Sequence, residues 1–199
     1  MTPDGVRPEL SSFDFNISSG FGVLVLSFSE TVNGTQFNGD QITLQSQSIS
    51  GAVNYTILGS ATLEQAGYSP VLKLELTQSD ANAIKNVVSL AAASSSTYLS
   101  LGSSTVAGAD GNSIVAISSG AAVPVSSYTA DSTSPTLLTF TINMNTNNMM
   151  MNFDEPVDVG AFNANSTTIQ GPQSEATGSS VSLTGGSAVV SSDGLQVML

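Results

Sequence analysis

The sequence predicts an all-β protein that contains two copies of one β-sandwich repeat. Several short segments alternate apolar with polar residues, and Leu72, Leu74 and Leu76 do so with particular regularity. This period of two is typical of a half-buried strand, and a slip of one residue would place the apolar stripe in water. A stretch near the start of the chain also recurs near its end. Finally, only 9% of the 199 residues are charged, so the surface must be made largely of uncharged polar residues, as exposed strand faces often are.

The recurrence indicates tandem domains. Residues 7–45 are similar to residues 134–170, with an offset of 127 residues at Phe13 and of 125 residues at Phe28. The offset changes within the first turn, which is where a change of length is tolerated. A long internal period of this kind indicates a repeat architecture rather than one large domain.

We therefore assign residues 1–130 to a first repeat and residues 131–199 to a second, incomplete one. The segment Leu195–Leu199 resembles Leu72–Leu76, so the second copy ends inside a strand. A sheet that ended there would keep an unpaired edge. We expect the sequence to be truncated, or to be part of a larger array.

Turn-forming residues separate eight predicted strands in the first repeat. Clusters of Gly, Asn, Ser and Pro bound these strands, at 9–16, 22–29, 41–46, 53–59, 70–77, 96–101, 113–118 and 122–129. Residues 79–90 differ, because Ile84, Val87 and Val88 have the spacing of one helical face. The prediction is a pair of sandwiches joined end to end, built from several short strands and one short helix around residues 79–90.

The charge balance excludes some partners. The chain has 15 acidic and 3 basic residues and a formal charge of −12. Nucleic acids and anionic membrane surfaces bind clusters of Lys and Arg, so neither is expected here. No apolar run is long enough to span a bilayer. The acidic excess is explained either by solubility through self-repulsion or by calcium binding.

The composition also disfavours an enzyme. Without His or Cys, the chain lacks the commonest general base and the thiolate nucleophile. Paired carboxylates could hydrolyse glycosides, but the only adjacent acidic pair, Asp154 and Glu155, is not repeated in the first copy. We predict no catalytic residues and no cofactor other than a candidate calcium ion, and we keep a hydrolase only as a third hypothesis.

Four acidic residues are the candidate calcium ligands. If chain direction is followed from strand to strand, Asp80, Asp131 and Glu155 lie near the junction of the repeats, and Asp110 lies on a loop whose position the sequence does not fix. Calcium prefers six to eight oxygen ligands. The alternative is that Asp80 caps the helix and that Asp110 belongs to an ordinary turn.

Four Asn-x-Ser/Thr sequons are candidate glycosylation sites. Asn33 and Asn165 fall in predicted loops and are the better candidates, whereas Asn54 and Asn16 adjoin predicted strands. A Ser/Thr/Asn-rich sequence also contains some sequons by chance.

Several segments together resemble a known class of repeat. They are Phe28–Val32, Ile42–Gln45, Ser79–Lys85, Thr97–Leu99 and Asp110–Asn112. They resemble the Ig-like (cadherin-like or S-layer-type) repeats of very large surface proteins, including bacterial adhesins. The greatest similarity is to tandem arrays in secreted algal proteins, such as the shaft proteins of flagellar hairs (mastigonemes).

The resemblance implies an extracellular or cell-surface protein, including the flagellar surface, with a non-catalytic structural role. Its partners would be other copies of the protein or neighbouring repeats in a filament. The alternative hypothesis is a calcium-dependent adhesin whose loops bind a glycan or another surface ligand.

Overall fold

The computed structural model describes residues 5–18, 20–59, 61–171 and 179–199. Over these residues the chain is mostly β, with one short α-helix, which confirms the all-β prediction. It divides into two compact units, Met1–Thr133 (unit 1) and Ser134–Leu199 (unit 2). No helix among the described residues has the length and hydropathy needed to cross a bilayer.

Unit 1 contains ten strands and the α-helix within its described residues. They are β1 (Leu10–Asn16), β2 (Val23–Asn33), β3 (Ile42–Gln45), β4 (Asn54–Thr56), β5 (Thr62–Leu63), β6 (Tyr68–Glu75), α1 (Gln78–Lys85), β7 (Tyr98–Leu101), β8 (Ala107–Gly108), β9 (Val123–Pro124) and β10 (Ser127–Thr129). One sheet has the order β10-β1-β2-β6-β5, with β8 paired to β2. The other has the order β4-β3-β7-β9.

The two sheets of unit 1 share one core. Phe13 and Leu24 come from the larger sheet, Leu44 and Leu99 come from the smaller one, and all four are at most 1% exposed. Alternation along each strand places these residues on the inner faces. Because burial of each such side chain stabilises the fold by roughly 1.5–3 kcal/mol, the two sheets hold each other in place.

The last strand of unit 1 returns beside the first. Strand β10 pairs in parallel with β1, and Tyr128 lies opposite Phe15 in the register. The chain therefore leaves unit 1 at the end where β1 finishes and β2 begins. The helix α1 follows β6, which ends there as well because Glu75 lies opposite Val23.

Unit 2 has six strands among its described residues. They are β11 (Leu137–Asn143), β12 (Asn148–Phe153), β13 (Thr168–Gln170), β14 (Ser180–Ser182), β15 (Val189–Val190) and β16 (Gln196–Met198). One sheet has the order β11-β12-β16-β15, and β13 forms a separate two-stranded ribbon with β14.

The strands of unit 2 repeat the first six strands of unit 1 in order and in pairing. The antiparallel pair β1–β2 has a bulge between Leu10 and Ser12, and β11–β12 has one between Leu137 and Thr139. A bulge at the same place in both units is a detail that the sequence comparison did not include.

The 3₁₀ turns that follow these hairpins match as well. Asn33 and Asn38 each cap a 3₁₀ turn of unit 1 through the side-chain oxygen, and Asp158 and Asn163, 125 residues later, cap two turns of unit 2. Small polar side chains of this kind satisfy the free N–H groups at the start of a turn.

The final strand has a different register from the one expected. The sequence alignment matched Leu195 with Leu72. In the structure Leu26 lies opposite Leu72, and its counterpart Met151 lies opposite Val197. The offset therefore remains at 125 residues, and Leu195 corresponds to Pro70. The sequence alignment was therefore displaced by two residues from the register in the structure. Alternation alone does not detect such an error, because a shift of two residues keeps the same face of the strand buried.

The helix is shorter than predicted. It covers Gln78–Lys85 instead of residues 79–90, with Thr77 as N-cap and Asn86 as C-cap. Beyond it the chain continues in turns, which bury Leu90 and leave Val88 88% exposed. The helical spacing was therefore a coincidence after Lys85.

Among the predicted strands, residues 113–118 form only isolated bridges, at Ser113 and Ile117. The two-residue strands β5 and β8 were not predicted, because two residues are too few to show a period.

Candidate functional site

Asp80 is fully buried and occupies the first turn of α1. Its side chain and the Thr77 hydroxyl form a reciprocal capping box. One carboxylate oxygen accepts hydrogen bonds from the Tyr55 hydroxyl at 2.8 Å and from the Leu58 N–H at 3.0 Å, and the other accepts from the Thr77 hydroxyl at 2.6 Å. A carboxylate can accept about four such bonds, so a calcium ion would have to displace these donors. Helix capping, the alternative interpretation, describes what Asp80 does in this structure.

The Asp80 carboxylate also acts on its tyrosine neighbour. Burial raises the pKa of the Tyr55 hydroxyl, and the hydrogen bond to Asp80 and the charge of Asp80 raise it further. Tyr55 therefore remains a hydrogen-bond donor over the whole physiological pH range. The contact joins the smaller sheet, through β4, to the start of α1.

Asp131 pairs with the other end of the helix. The Lys85 ammonium lies 2.9 Å from one carboxylate oxygen of Asp131, and the hydroxyl and N–H of Thr133 donate to the other. Burial alone would raise the pKa of Asp131, but the hydrogen bonds from Thr133 and Lys85, and the charge of Lys85, outweigh burial and lower it. Unit 1 extends to Thr133, so these contacts all lie within it.

The sequence had not paired Lys85 with Asp131, although a signal was available. Lys85 is one of only three basic residues in the chain. Chain direction had already placed the helix and the linker at the same end of the repeat. Tyr128 adds a second tie there, because its hydroxyl donates to the carbonyl oxygen of Ala91.

Asp110 lies at the opposite end of unit 1. Gly108 pairs with Val32 near the end of β2, and the N–H of Ala109 donates to the carbonyl of Thr31. Strand β2 spans about 33 Å at ~3.3 Å per residue, which separates Asp110 from the end that holds Asp80 and Asp131. The sequence left open the end of the repeat at which Asp110 lies, and the structure places Asp110 away from these two residues. Asp110 instead accepts a hydrogen bond from the N–H of Asn112, as in an ordinary turn.

Glu155 is buried in unit 2 and is the second residue after β12. Its neighbour Asp154 accepts a hydrogen bond from the N–H of Thr136 at 2.7 Å, which is the main reason that the pKa of Asp154 is lowered. Both acidic residues therefore lie near the start of unit 2, as chain direction predicted. Among the described residues, no three acidic side chains form a group that could hold a metal ion. Calcium binding stays a prediction.

The four sequon asparagines occupy different environments. Asn165 and Asn54 are exposed, whereas Asn33 and Asn16 are half-buried. The side-chain oxygens of Asn33 and Asn16 accept hydrogen bonds from the hydroxyl two residues later, Thr35 at 2.6 Å and Ser18 at 2.7 Å. Glycosylation stays a prediction for all four.

Unit 2 has an apolar surface, which the sequence interpretation missed because it considered the acidic residues as candidate sites. We call it the open face. It consists of Leu137, Phe140, Ile142 and Ile169, and the buried residues Met149 and Met151 lie beside it. Phe140 is 55% exposed and Ile142 is 38% exposed, whereas their counterparts Phe13 and Phe15 are each 1% exposed. The open face borders cavities of about 490 and 280 Å³ between the β11–β12 hairpin and β13, and their lining residues in the described part of the chain are all uncharged.

No protein-family model matches the chain, and no curated protein is similar to it in sequence.

Proposed function

We propose that the chain is a non-catalytic structural segment of an extracellular filament or cell-surface array, built from tandem Ig-like β-sandwich repeats. The observation that carries the proposal is the agreement of the two units in strand order, bulge position and capped turns. Repeats of one domain type extend a protein along its length, and each repeat adds a spacer of constant size.

The distribution of polar groups supports the same proposal. Asp80 and Asp131 are occupied by internal hydrogen bonds that tie α1 and the linker to unit 1. These two acidic residues stabilise a unit and its exit segment, as a load-transmitting repeat requires. The large share of uncharged Ser, Thr and Asn leaves strand faces that can pack against neighbouring repeats through hydrogen bonds.

Immunogold electron microscopy of the cells that produce the protein tests the location and the role together. Antibodies raised against residues 1–133 are expected to label an extracellular filament or the cell surface in evenly spaced rows. Antibody absorbed with the recombinant chain is the control. Label confined to the cell interior would contradict the proposal.

A binding assay separates the structural role from the adhesin hypothesis. The monomeric chain is applied to an array of glycans with and without calcium. A structural segment is expected to show no saturable binding. Saturable, calcium-dependent binding that is lost in Asp110→Ala would favour the adhesin instead.

A further inference from the structure

The open face of unit 2 corresponds to positions that are covered in unit 1. Phe13 and Phe15 lie beneath the smaller sheet of unit 1, where β7 contributes Leu99 and Leu101 to the shared core. Unit 1 therefore shows which kind of segment fits over this surface.

In unit 1 the covering strand pairs along one edge of β3. Strand β7 runs antiparallel to β3, with Leu99 opposite Leu44 and Ser100 opposite Thr43. On its other side β3 pairs with β4, and Thr43 and Thr56 share a hydroxyl hydrogen bond of 2.9 Å.

Unit 2 repeats the second of these pairings. Strand β13 pairs with β14, and Thr168 and Ser182 share a hydroxyl hydrogen bond that is also 2.9 Å long. In the described part of the chain, β13 has no strand on its other side. The carbonyl of Thr167 accepts from Leu183, which directs the backbone groups of the next residue, Thr168, toward this open edge.

We propose that the open face of unit 2 binds a further polypeptide segment with the sequence pattern of residues 96–125. The segment adds a strand antiparallel to β13 and places two alternating apolar side chains in the cavities beside Phe140 and Met151. Main-chain hydrogen bonds and alternating side chains are the two components of recognition by strand addition.

The charge of both surfaces fits this occupant. Within the proposed pattern, residues 96–109, which include β7, contain no charged side chain, and none of the described residues that line the cavities is charged. Asp110, the one charged residue of the pattern, is exposed in unit 1. An uncharged segment can therefore be buried without leaving an unpaired charge.

The unit 1 of a second copy is not the occupant that we propose. Its Leu99 and Leu101 are already buried in its own core, and transferring them would open one face to close another. The inference rests on the repeat relation that supports the proposed function, and it requires neither a filament nor an extracellular location.

The methionines provide a selective probe. Five of the six methionines (Met144, Met149, Met150, Met151 and Met198) lie in unit 2. Met149 and Met151 point into the core beside the open face, whereas Met150 and Met198 are exposed on strands of the same sheet. Spectra of the full chain with ¹³C-labelled methionine methyl groups therefore distinguish the two sides of this sheet.

The first experiment adds a synthetic peptide of residues 96–125 to the labelled chain. We expect saturable shifts of the Met149 and Met151 methyl resonances, little change at Met150 and Met198, and about tenfold slower amide exchange at Thr168. A matched peptide with Leu99→Asn and Leu101→Asn should have no effect.

A second form of the experiment links the segment covalently to the chain, for the case in which the free peptide binds too weakly to be detected. In this extended chain, a second copy of residues 75–130 is added directly after Leu199. The added copy starts at residue 75 because Leu199 corresponds to Leu74 in the register. A short linked segment acts at high effective concentration, so the same methyl shifts should appear without added peptide.

Two results would overturn the proposal. The first is the absence of methyl shifts with both the peptide and the extended chain. The second is a shift of Met149 and Met151 that depends only on the concentration of the unmodified chain, since the occupant would then be a second copy. Neither result bears on the labelling experiment, so failure here is distinguishable from failure of the proposed function.

Discussion

Asp80 is the residue whose removal should most damage unit 1. Replacing it with Ala removes the cap of α1 and leaves the Tyr55 hydroxyl and the Leu58 N–H without an acceptor. We expect Asp80→Ala to lower the free energy of unfolding by roughly 2–4 kcal/mol, from the lost cap and the buried unpaired donors. All four tyrosines lie in unit 1, so urea unfolding followed by tyrosine fluorescence measures this unit alone.

A suitable control for this measurement is Asp14→Ala, because Asp14 is an exposed acidic residue on β1. Its loss should change the stability by less than about 0.5 kcal/mol. Equal stability of the two variants would mean that the Asp80 hydrogen bonds do not support unit 1.

The Lys85–Asp131 pair should make unit 1 sensitive to acid. The pKa of Asp131 is lowered from its ordinary value of 3.8, so the pair contributes its full stability above pH 3.8 and loses it as the pH falls through the lower folded value. We expect Asp131→Asn to cost about 1 kcal/mol at pH 7 and to flatten the acid limb of the stability curve. Tyrosine fluorescence during urea unfolding between pH 7 and 2.5 gives the comparison, and an acid limb as steep as that of the unmodified chain would contradict the account.

These residues also show which contacts could be predicted from the sequence and which could not. Helix capping by Asp80 was foreseeable, because an acidic residue near a helix start has a local explanation. The Tyr55 contact was not, since the two residues are 25 positions apart and meet only when β4 packs over α1. The position of Asp110 was likewise undetermined, because it depends on the pairing of the two-residue strand β8 with β2.

At the level of secondary-structure elements, the register of strand β16 can be tested. The sequence alignment predicted this register incorrectly. In unit 1 Glu64, the residue after β5, forms an ion pair at 2.9 Å with Lys73 of β6. At an offset of 125 residues their counterparts are Val189 and Met198, which lie directly opposite each other. An ion pair should therefore fit at these exposed positions of unit 2.

We expect the double variant Val189→Glu and Met198→Lys to show a favourable coupling of about 0.2–1 kcal/mol in a double-mutant cycle. The signals of Met149 and Met151 report the unfolding of unit 2. As a matched control, Met198→Lys with Val181→Glu should show no coupling, since Val181 pairs with Ile169 instead. Zero coupling in the first pair would favour the other register, in which Leu195 is the counterpart of Leu72.

The elements differ in how well a pattern predicts them. Strands β1, β2, β3 and β6 were predicted to within a few residues. Buried positions alternate with less buried ones along much of β1 and β2 and at the end of β6. The sequence predicted the end of α1 too late, because apolar residues continue at helical spacing beyond Lys85. The chain forms turns there, and these turns decide which of the apolar residues are buried. Short edge strands depend on their partners, so their own sequences carry little signal.

In the whole molecule, the two units agree in part of their structure and differ in the rest. The two units match in strand order and in cross-strand pairs. They differ where unit 1 continues into α1 and β7, which complete its core, while unit 2 presents the open face. The sequence predicted the repeat because strands recur with matching residues. It did not predict the open face, since exposure depends on what packs over a strand.

The central claim is that unit 2 is a copy of unit 1, and the contacts of Met150 test it most directly. Nuclear Overhauser spectra of the full chain with labelled methionine methyl groups report which residue lies opposite each methionine. The account predicts contacts between Met150 and Met198 and between Met151 and Val197, as an offset of 125 residues requires. Contacts of Met150 with Gln196 instead, or no contacts between β12 and β16, would contradict it.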